Sequence, residues 1–311
     1  MNYIKVAQAA KKWGISERHV RDYCANGRVF GARIKGNKWI LPEIAEHPER
    51  KNSEKKNDPI SDALSVAVKT GIPNKIYEYV KVQFTYHSIA LDGSTVTLGQ
   101  IQHGFDEHKF NMLLPNINND DTITAGNHFL CIDKIIESYR EPLTVELIKD
   151  LHFTLGMMTE SYQKNMRSYN GFRTADCKVG RRKVTAPEHI SKELQRLTEQ
   201  YESKELITPD DILDFHYRFE RILPFNENNG MIGRLIMFKE LLHHRNTPFI
   251  IEGGDKQRYI NGLNNWENDR RELIELCLDA QADFKIRYNS IVEQPAGQDI
   301  DSTVQKVGQG V

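Results

Sequence analysis

Residues 223–234 read Leu-Pro-Phe-Asn-Glu-Asn-Asn-Gly-Met-Ile-Gly-Arg, a polar turn between two amphipathic patterns, and this stretch decides the fold. Apolar side chains at helical spacing predict a helix over 210–222 that breaks at Pro224. A second apolar pattern predicts a helix that begins near Gly230. The turn between them is rich in residues that tolerate positive φ, and it ends where the free N–H groups of a helix start point outward. Such a loop is suited to holding an anion such as a phosphate.

Two charged residues of the stretch extend this interpretation. Arg234 lies about one helical turn after Gly230, so its guanidinium can return toward a bound anion. Glu227 offers the hard carboxylate oxygen that a magnesium ion prefers. Taken alone, however, the stretch is more typical of an ordinary helix–loop–helix connection in which Pro224 and Phe225 pack against the core.

The stretch resembles the signature of the Fic family, His-Pro-Phe-x-Asp/Glu-Gly-Asn-Gly-Arg-x-x-Arg, whose members transfer AMP from ATP to a protein hydroxyl. The matching positions are Pro224, Phe225, Glu227, Asn229, Gly230 and Arg234. The family's histidine, first glycine and first arginine are replaced by Leu223, Asn228 and Met231. The resemblance implies that ATP and Mg²⁺ are the ligands. It places Glu227 on the metal and the phosphates on Asn228, Asn229, Gly230 and Arg234.

Residues 86–98 resemble the inhibitory helix that precedes the core in many Fic proteins. The likeness implies inhibitory roles for Ser88, Asp92 and Gly93. In the family a glutamate of this helix pairs with the last arginine of the signature, whereas Asp92 reaches roughly 1.5 Å less far. Two outcomes stay open: Asp92 pairs with Arg234 after a small shift of the helix, or Arg234 is free to take a phosphate.

Two further segments complete the resemblance, which spans about residues 60–285. Residues 171–173 and the hairpin over 178–186 resemble the flap that binds a target protein as an added strand. The segment that follows the signature resembles the one that closes over adenine, with Tyr259 as the stacking ring. The predicted fold class is therefore mainly α, an all-helical Fic-type core with a small β-hairpin flap.

The residues that depart from the signature should affect phosphate binding and AMP transfer to different extents. Leu223 has no titratable proton and cannot act as a base, and the loss of a positioned base typically costs ~10²- to 10⁴-fold. His216 lies two helical turns earlier, roughly 10.5 Å along the axis, and is predicted to be structural. Glu220 is predicted to be an exposed helix charge. Met231 removes a permanent cation from beside the phosphates. We therefore expect weakened phosphate binding and a larger loss of transfer.

Residues 1–50 predict a small separate domain. Apolar spacing predicts a helix that stops at Gly14, and Ser16 is a good N-cap for a second helix over 17–24. A hairpin over 32–41 follows, and Pro42 is predicted to open a third helix as its first residue. The order resembles the winged helix-turn-helix domains of the MerR and excisionase type.

The likeness implies that this domain binds DNA. Arg18, His19 and Arg21 would face the major groove, while Arg33, Lys35 and Lys38 would contact phosphates from the wing. Residues 1–57 hold thirteen Lys and Arg against six Asp and Glu, a net charge of +7, and the remainder carries −8. A basic domain on an acidic body suggests that the domain meets a polyanion. The alternative is a basic domain that docks onto a protein or onto its own body.

Composition limits the remaining possibilities. The chain has 311 residues, of which 39% are hydrophobic and 27% charged, and no apolar run reaches the roughly 18 residues of a membrane span. Without a secretory signal pattern, we expect a cytoplasmic protein with no membrane partner. The predicted organisation is a winged domain over 1–50, a linker over 51–61, a Fic domain over 62–290 and a flexible tail over 291–311.

Three functions are compatible with this sequence. The first is a catalytically impaired Fic-type protein that binds ATP or a related nucleotide and regulates through DNA. The second is an active AMP-transferase, or an enzyme that removes AMP, working without the histidine. The third is an interaction module that binds no nucleotide.

Overall fold

The computed structural model describes residues 2–48, 59–107, 119–164, 171–179 and 182–293. The predicted mainly α-helical class with a small hairpin is confirmed. We refer to residues 2–48 as the head and to residues 59–293 as the body.

The head is built from two short helices and a three-stranded antiparallel sheet. Its elements are β1 (Tyr3–Lys5), α1 (Val6–Trp13), α2 (Glu17–Ala25), β2 (Arg33–Lys35) and β3 (Lys38–Pro42). Helix α1 ends at Gly14 with φ of 67°, and the Ser16 side chain caps α2 by accepting from the backbone N–H of His19. These are the boundaries that the turn chemistry predicts.

The predicted third helix of the head, with Pro42 as its first residue, is wrong. Pro42 is the last residue of β3 and lies opposite Tyr3 of β1. The short strand β1 carries too few residues for a period-2 pattern, so sequence reasoning missed it. Once β1 pairs with β3, the chain at Pro42 is held extended, and the missing N–H of proline is tolerated at a strand end.

The body is a bundle of helices around a buried central helix that spans Asn229–His243. In chain order the body elements are α3 (Pro59–Thr70), α4 (Lys75–Tyr79), a π-helix (Val80–Phe84), α5 (Thr85–Leu91), α6 (Leu98–Asp106), α7 (Asn119–Glu137), α8 (Val145–Gly156), α9 (Glu160–Lys164), β4 (Lys178–Val179), β5 (Arg182–Lys183), α10 (Pro187–Glu202), α11 (Pro209–Ile222), α12 (Asn229–His243), a 3₁₀ turn (Gly253–Asp255), α13 (Lys256–Asn265) and α14 (Arg271–Glu293). Nearly every residue of α12 is buried, because α5, α7, α8 and α11 surround it.

Helices α4 and α5 are joined through the π-helix without a break in helical backbone. Lys81 in the π-helix is buried, and its Nζ donates to the Phe129 carbonyl at 2.9 Å and to Asp133 Oδ2 at 2.7 Å. A buried ammonium needs such partners because its desolvation is costly. This anchor fixes the segment from which Ser88 and Asp92 reach Arg234, as described below.

The head docks on α14. A Cβ atom at Gly31, where φ is 71°, would lie 2.5 Å from Leu278, so glycine permits the close approach. Arg33 Nη1 donates to Glu275 Oε1 at 2.8 Å, and Lys285 pairs with Glu46. Phe30 of the head belongs to the hydrophobic core of the body.

The predicted domain bounds stay predictions. Residues 51–58 of the predicted linker lie outside the described residues, and α3 begins at Pro59. Helix α14 continues to Glu293, and the rest of the predicted tail also lies outside the described residues. Among the helices that the structure describes, none combines the length and apolar character that a membrane crossing requires.

Candidate functional site

A cavity of about 680 Å³ opens where the end of α11 meets the start of α12. Helix α5 and the residues after it line one side, and α13 lines another with Tyr259 and Lys256. Carboxylates are frequent in the lining: Asp92, Asp120, Asp121, Glu220 and Glu227. The volume lies within the range of small-molecule sites.

The start of α12 has the geometry that an anion site requires. Asn228 occupies the N-cap with φ of 64° and ψ of 9°, the left-handed conformation that asparagine tolerates. The Asn229 side chain braces the loop, since its Oδ1 accepts from the Phe225 N–H at 3.0 Å and its Nδ2 donates to the Phe225 carbonyl at 2.8 Å. Sequence reasoning assigned Asn229 to the phosphates, and in the structure its amide holds the loop in shape. The first-turn N–H groups of α12 remain the groups suited to an anion.

Arg234 is buried and points back toward α5. Its Nε donates to Ser88 Oγ at 3.0 Å, and its Nη2 donates to the Ser88 carbonyl at 2.8 Å and to Asp92 Oδ1 at 3.0 Å. Of the two outcomes left open, the structure therefore has the Asp92–Arg234 pair. Burial is the largest single influence and lowers the pKa of Arg234, but Asp92, Tyr259 and Glu220 together raise it more, so the net shift is upward and the guanidinium stays charged.

Two glycines allow this contact. A Cβ atom at Gly230 would lie 2.9 Å from both Arg234 Nη1 and Asp92 Oδ1, so a side chain there would displace the pair. Gly93 follows the end of α5 with φ of 101°, a conformation that other residues rarely adopt. The predicted inhibitory residues Ser88, Asp92 and Gly93 thus lie together at the end of α5, where the first two contact Arg234.

The end of α11 is held by a buried arginine of the flap. Leu223 caps α11 with φ of 50° and ψ of 65°, which is unfavourable for a leucine. Arg173 Nε donates to the Leu223 carbonyl at 2.8 Å, and its backbone N–H donates to the Pro224 carbonyl at 2.9 Å. The same guanidinium donates to the carbonyls of Ala175 and Thr185. Arg173 therefore joins the base of the flap to the loop, a role that its place in the sequence did not reveal.

His216 is structural in its contacts, as predicted. Its Nε2 lies 2.6 Å from Tyr259 Oη, and both side chains are buried. Burial, together with the charge of Arg234, lowers the pKa of His216 to about 3. Burial also raises the pKa of Tyr259. Tyr259 lines the cavity, with its ring centroid 5.9 Å from the Arg234 guanidinium carbon.

The prediction for Glu220 is wrong. It is half-buried and lines the cavity, and its Oε1 lies 3.3 Å from the position that a Cβ atom would take at Gly233 of α12. The residue order does not show that α12 crosses α11 closely at Gly233, where a Cβ atom would also lie 2.7 Å from the His216 ring. Among the described residues that line the cavity, none is a histidine.

Glu227 is half-buried in the loop and lines the cavity with Asp120 and Asp121. In the described part of the chain, no three His, Cys, Asp or Glu side chains form a metal-binding group. Magnesium commonly takes one or two carboxylates and completes its shell with water and phosphate oxygens. A loop carboxylate beside an anion-type helix start fits that mode of binding, and Glu227 is the residue that would hold the ion.

The residues predicted to bind DNA fall into two groups. Five are exposed: Arg18, His19 and Arg21 on α2, and Lys35 and Lys38 opposite each other at the hairpin tip. Arg33 is apart from them, because its guanidinium pairs with Glu275 of α14 and stacks 4.1 Å from the Tyr3 ring centroid. Of the flap over 178–186, β4 and β5 form the predicted antiparallel pair, and residues 180–181 lie outside the described residues.

The helical fold places a cavity between α11 and α12, with the anion-type start of α12 and Arg234 in its lining. A family model described as the Fic/DOC family matches residues 142–241, which include both helices. Residues 142–241 are therefore similar to a Fic/DOC family domain.

Relatives of low identity extend the similarity beyond that domain. The chain is 25% identical to a protein adenylyltransferase Fic of Aedes aegypti, covering 78% of this chain and 48% of the relative. It is 24% identical to a protein adenylyltransferase Fic of Nematostella vectensis, covering 80% of this chain and 58% of the relative. The chain thus spans about half the length of these relatives.

A solved structure shows the same fold. The crystal structure of a Fic domain containing signaling protein from Bacteroides thetaiotaomicron aligns with a TM-score of 0.61 at 19% identity. The alignment covers 77% of this chain and 99% of that protein.

Proposed function

We propose that this chain is a nucleotide-binding regulator in which a Fic-type body, impaired in AMP transfer, controls a DNA-binding head. The relatives named as protein adenylyltransferases suggest ATP as the nucleotide. The observation that carries the proposal is the contrast within the cavity: the start of α12 keeps its anion geometry, while Leu223 occupies the position of the base.

Nucleotide binding is supported by the loop between α11 and α12. Asn228 maintains the left-handed N-cap, and Asn229 braces the loop through two hydrogen bonds to Phe225. Arg234 is charged, buried and directed at the cavity, so a polyphosphate could replace Asp92 as its partner. We therefore expect ATP to compete with Asp92 for Arg234, because Arg234 is already paired.

Impaired transfer is supported by the side chains at the end of α11. Leu223 lines the cavity without a proton acceptor, and Met231 is a neutral residue in the first turn of α12. His216 is occupied by Tyr259, and its lowered pKa makes it a weak base. Any AMP transfer would lack both a positioned histidine and the first signature arginine, so we expect it to be slow.

Communication with the head is supported by the path from α13 to α14. Tyr259 lines the cavity from α13, and Gly262 of the same helix approaches α14 so closely that a Cβ atom would lie 2.9 Å from the Leu273 backbone nitrogen. Helix α14 then contacts the head through Leu278, Glu275 and Lys285. A ligand that moves Tyr259 would act on a rigid pair of helices that ends at the head.

DNA as the partner of the head is supported by charge. Lys35 and Lys38 are paired directly across the hairpin, where like charges destabilise a sheet unless an anion lies between them. Arg18 adds positive charge on the exposed face of α2, where Arg21 is paired with Glu17. Phosphate contacts from both elements would orient the head on a duplex.

The proposal is tested by restoring the missing groups. Leu223→His with Met231→Arg supplies the base and the cation, and adding Asp92→Gly removes the inhibitory carboxylate. We expect the parent protein to bind ATP with Mg²⁺ by calorimetry and to transfer little labelled AMP. The double variant should transfer AMP about 10²-fold faster, and the triple variant faster still.

Each outcome decides a separate part of the proposal. Efficient AMP transfer by the parent protein would contradict impairment. Absence of ATP binding by both the parent and the triple variant would contradict nucleotide sensing and favour an interaction module. Mobility shifts with duplex DNA, measured with and without ATP, test the head; equal binding after Lys35→Gln with Lys38→Gln would contradict its role.

A second candidate function is an active transferase that uses Glu220 as its base. The half-buried carboxylate of Glu220 lines the cavity and precedes Leu223 by about one helical turn. Glu220→Gln keeps the shape of the side chain and removes the base. Transfer by the parent protein that this variant abolishes would establish this function in place of the first.

A further inference from the structure

Helix α5, which carries the predicted inhibitory residues, is held from two sides. On one side Arg234 of α12 donates to Ser88 Oγ at 3.0 Å and to Asp92 Oδ1 at 3.0 Å. On the other side His87 Nδ1 accepts from the N–H of Gly253 at 3.1 Å. Adjacent residues of a helix point about 100° apart, so His87 and Ser88 face different elements. The contact with Arg234 is therefore accompanied by a second contact that also fixes α5.

The second contact is made to the 3₁₀ turn that precedes α13, and this turn lies directly against α5. A Cβ atom at Gly253 would be 3.2 Å from Ala90 Cβ and 4.0 Å from His87 Nδ1, so the missing side chain lets the backbone N–H approach the ring. The turn leads into α13, where Lys256 and Tyr259 line the cavity. His87 therefore joins the α5 side of the cavity to the α13 side.

The hydrogen bond of His87 requires a neutral imidazole. A backbone N–H can only donate, so Nδ1 is the acceptor and the ring proton lies on Nε2. The described titratable groups that face the ring are Glu252, just before the turn, and Tyr86, whose ring centroid is 4.8 Å away. Burial lowers the pKa of His87 below 6.5, although Glu252 opposes this shift. The bond is therefore present at neutral pH and is lost as the pH falls through the lowered pKa.

We propose that His87 is a positioning residue of the candidate nucleotide site, which holds α5 where Ser88 and Asp92 contact Arg234. Without the bond from Gly253, α5 is free to shift away from α12, and Arg234 exchanges Asp92 for a phosphate more readily. This inference rests on the proposed competition between ATP and Asp92. It adds that the position of α5 depends on the turn before α13 as well as on the arginine.

Two variants separate the acceptor of His87 from its ring. His87→Asn keeps an acceptor near the Nδ1 position and does not titrate, whereas His87→Phe keeps an aromatic ring and has no acceptor. In calorimetry at about pH 7.5, His87→Phe should bind ATP with Mg²⁺ about threefold to tenfold more tightly than the parent, and His87→Asn should stay within about twofold. His189→Asn, at an exposed histidine of α10, is the matched control and should leave the affinity unchanged.

The pH dependence of ATP binding is a readout that a purely structural role of His87 would not change. As the pH falls from about 7.5 to about 5, the ATP affinity of the parent should rise relative to that of His87→Asn, because only the parent loses the bond by protonation. Comparing the two proteins at each pH cancels the titration of ATP itself. His189→Asn should follow the parent throughout.

Hydrogen exchange tests the role of His87 without any nucleotide. In His87→Phe the amides of both α5 and the 3₁₀ turn should exchange faster than in the parent, whereas His87→Asn should exchange at nearly the parent rates. Absence of ATP binding by the parent would contradict the proposed function, and the exchange rates would still decide whether His87 holds α5. Faster exchange in the turn alone, weaker ATP binding by His87→Phe, or an equal pH dependence in the parent and His87→Asn would each overturn the inference.

Discussion

The two helices that meet at the candidate site differ in how they build it. The start of α12 depends on backbone geometry, with Asn228 in the left-handed N-cap and Asn229 bonded to Phe225. The end of α11 depends on the side chain at Leu223, which has no acid–base group. Backbone geometry tolerates exchanges such as glycine to asparagine, whereas proton transfer does not survive the loss of a base. Anion binding and transfer can therefore be lost separately in one pocket.

The largest expected effect concerns the buried histidine of α11. Burial and the charge of Arg234 lower the pKa of His216 from 6.5 to about 3. Between these values the unfolded chain holds a proton that the folded protein does not, so stability falls as the pH falls from 6.5 to 3. The loss attributable to this group is on the order of 4 kcal/mol. We expect the free energy of unfolding, measured by chemical denaturation between pH 3 and 6.5, to depend less steeply on pH in His216→Gln than in the parent.

His128 is buried as well, with a pKa lowered to about 3 by burial and by Arg234, so some slope remains in the variant. His103→Gln, at an exposed histidine of α6, is the matched control and should leave the slope unchanged. An identical pH dependence in His216→Gln and the parent would contradict the assignment.

The second effect concerns the start of α12, the part of the site that depends on backbone geometry. The methyl group of Gly230→Ala would lie 2.9 Å from both Arg234 Nη1 and Asp92 Oδ1. We expect the displaced guanidinium to weaken ATP binding by about tenfold to a hundredfold in calorimetry. Gly99→Ala, in α6, is the matched control, since nothing lies within 4 Å of its Cβ position. Unchanged affinity in Gly230→Ala would show that Arg234 does not contact the nucleotide.

The third effect concerns the Asp92–Arg234 pair. Asp92→Ala leaves the buried Arg234 charge with Ser88 as its acceptor, and we expect it to cost about 2 kcal/mol of stability. ATP with Mg²⁺ should raise the melting temperature of Asp92→Ala more than that of the parent, because phosphate replaces the lost carboxylate. Asp22→Ala, at an exposed residue of α2, is the control. An equal rise in both proteins would argue against competition between Asp92 and the nucleotide.

The smallest effect compares the two left-handed residues directly. Leu223 and Asn228 have φ of 50° and 64°, but asparagine accepts this conformation better than leucine. Leu223→Asn should therefore stabilise the protein by up to about 1 kcal/mol, and Asn228→Leu should destabilise it by about as much. Urea denaturation measures both. Opposite signs would show that side-chain packing outweighs backbone conformation at these positions.

The sequence predicted the parts of the fold that local chemistry determines. The boundaries at Gly14 and Ser16, the helices on both sides of residues 223–228 and the positive φ within that turn follow from capping, periodicity and turn preference. The fold class was also accessible, because the signature and its flanking segments occur in order. These features depend on residues that are neighbours along the chain.

The sequence did not predict contacts between distant elements. Strand β1 exists because β3 pairs with it, and the same pairing keeps Pro42 out of a helix. Glu220 faces the cavity because α12 crosses at Gly233, and Arg33 faces α14 because the head docks there. Each of these contacts is supplied by tertiary packing.

The π-helix over Val80–Phe84 sets the direction in which Ser88 and Asp92 face, and so their contact with Arg234. A π-turn holds one residue more than an α-turn, and each residue advances a helix by about 100°. If the same residues were wound as an ordinary α-helix, everything after Phe84 would be rotated by about a quarter turn. Ser88 and Asp92 would then face away from Arg234, although every contacting side chain was retained. The winding of the helix, and not only its composition, decides whether Ser88 and Asp92 contact the arginine.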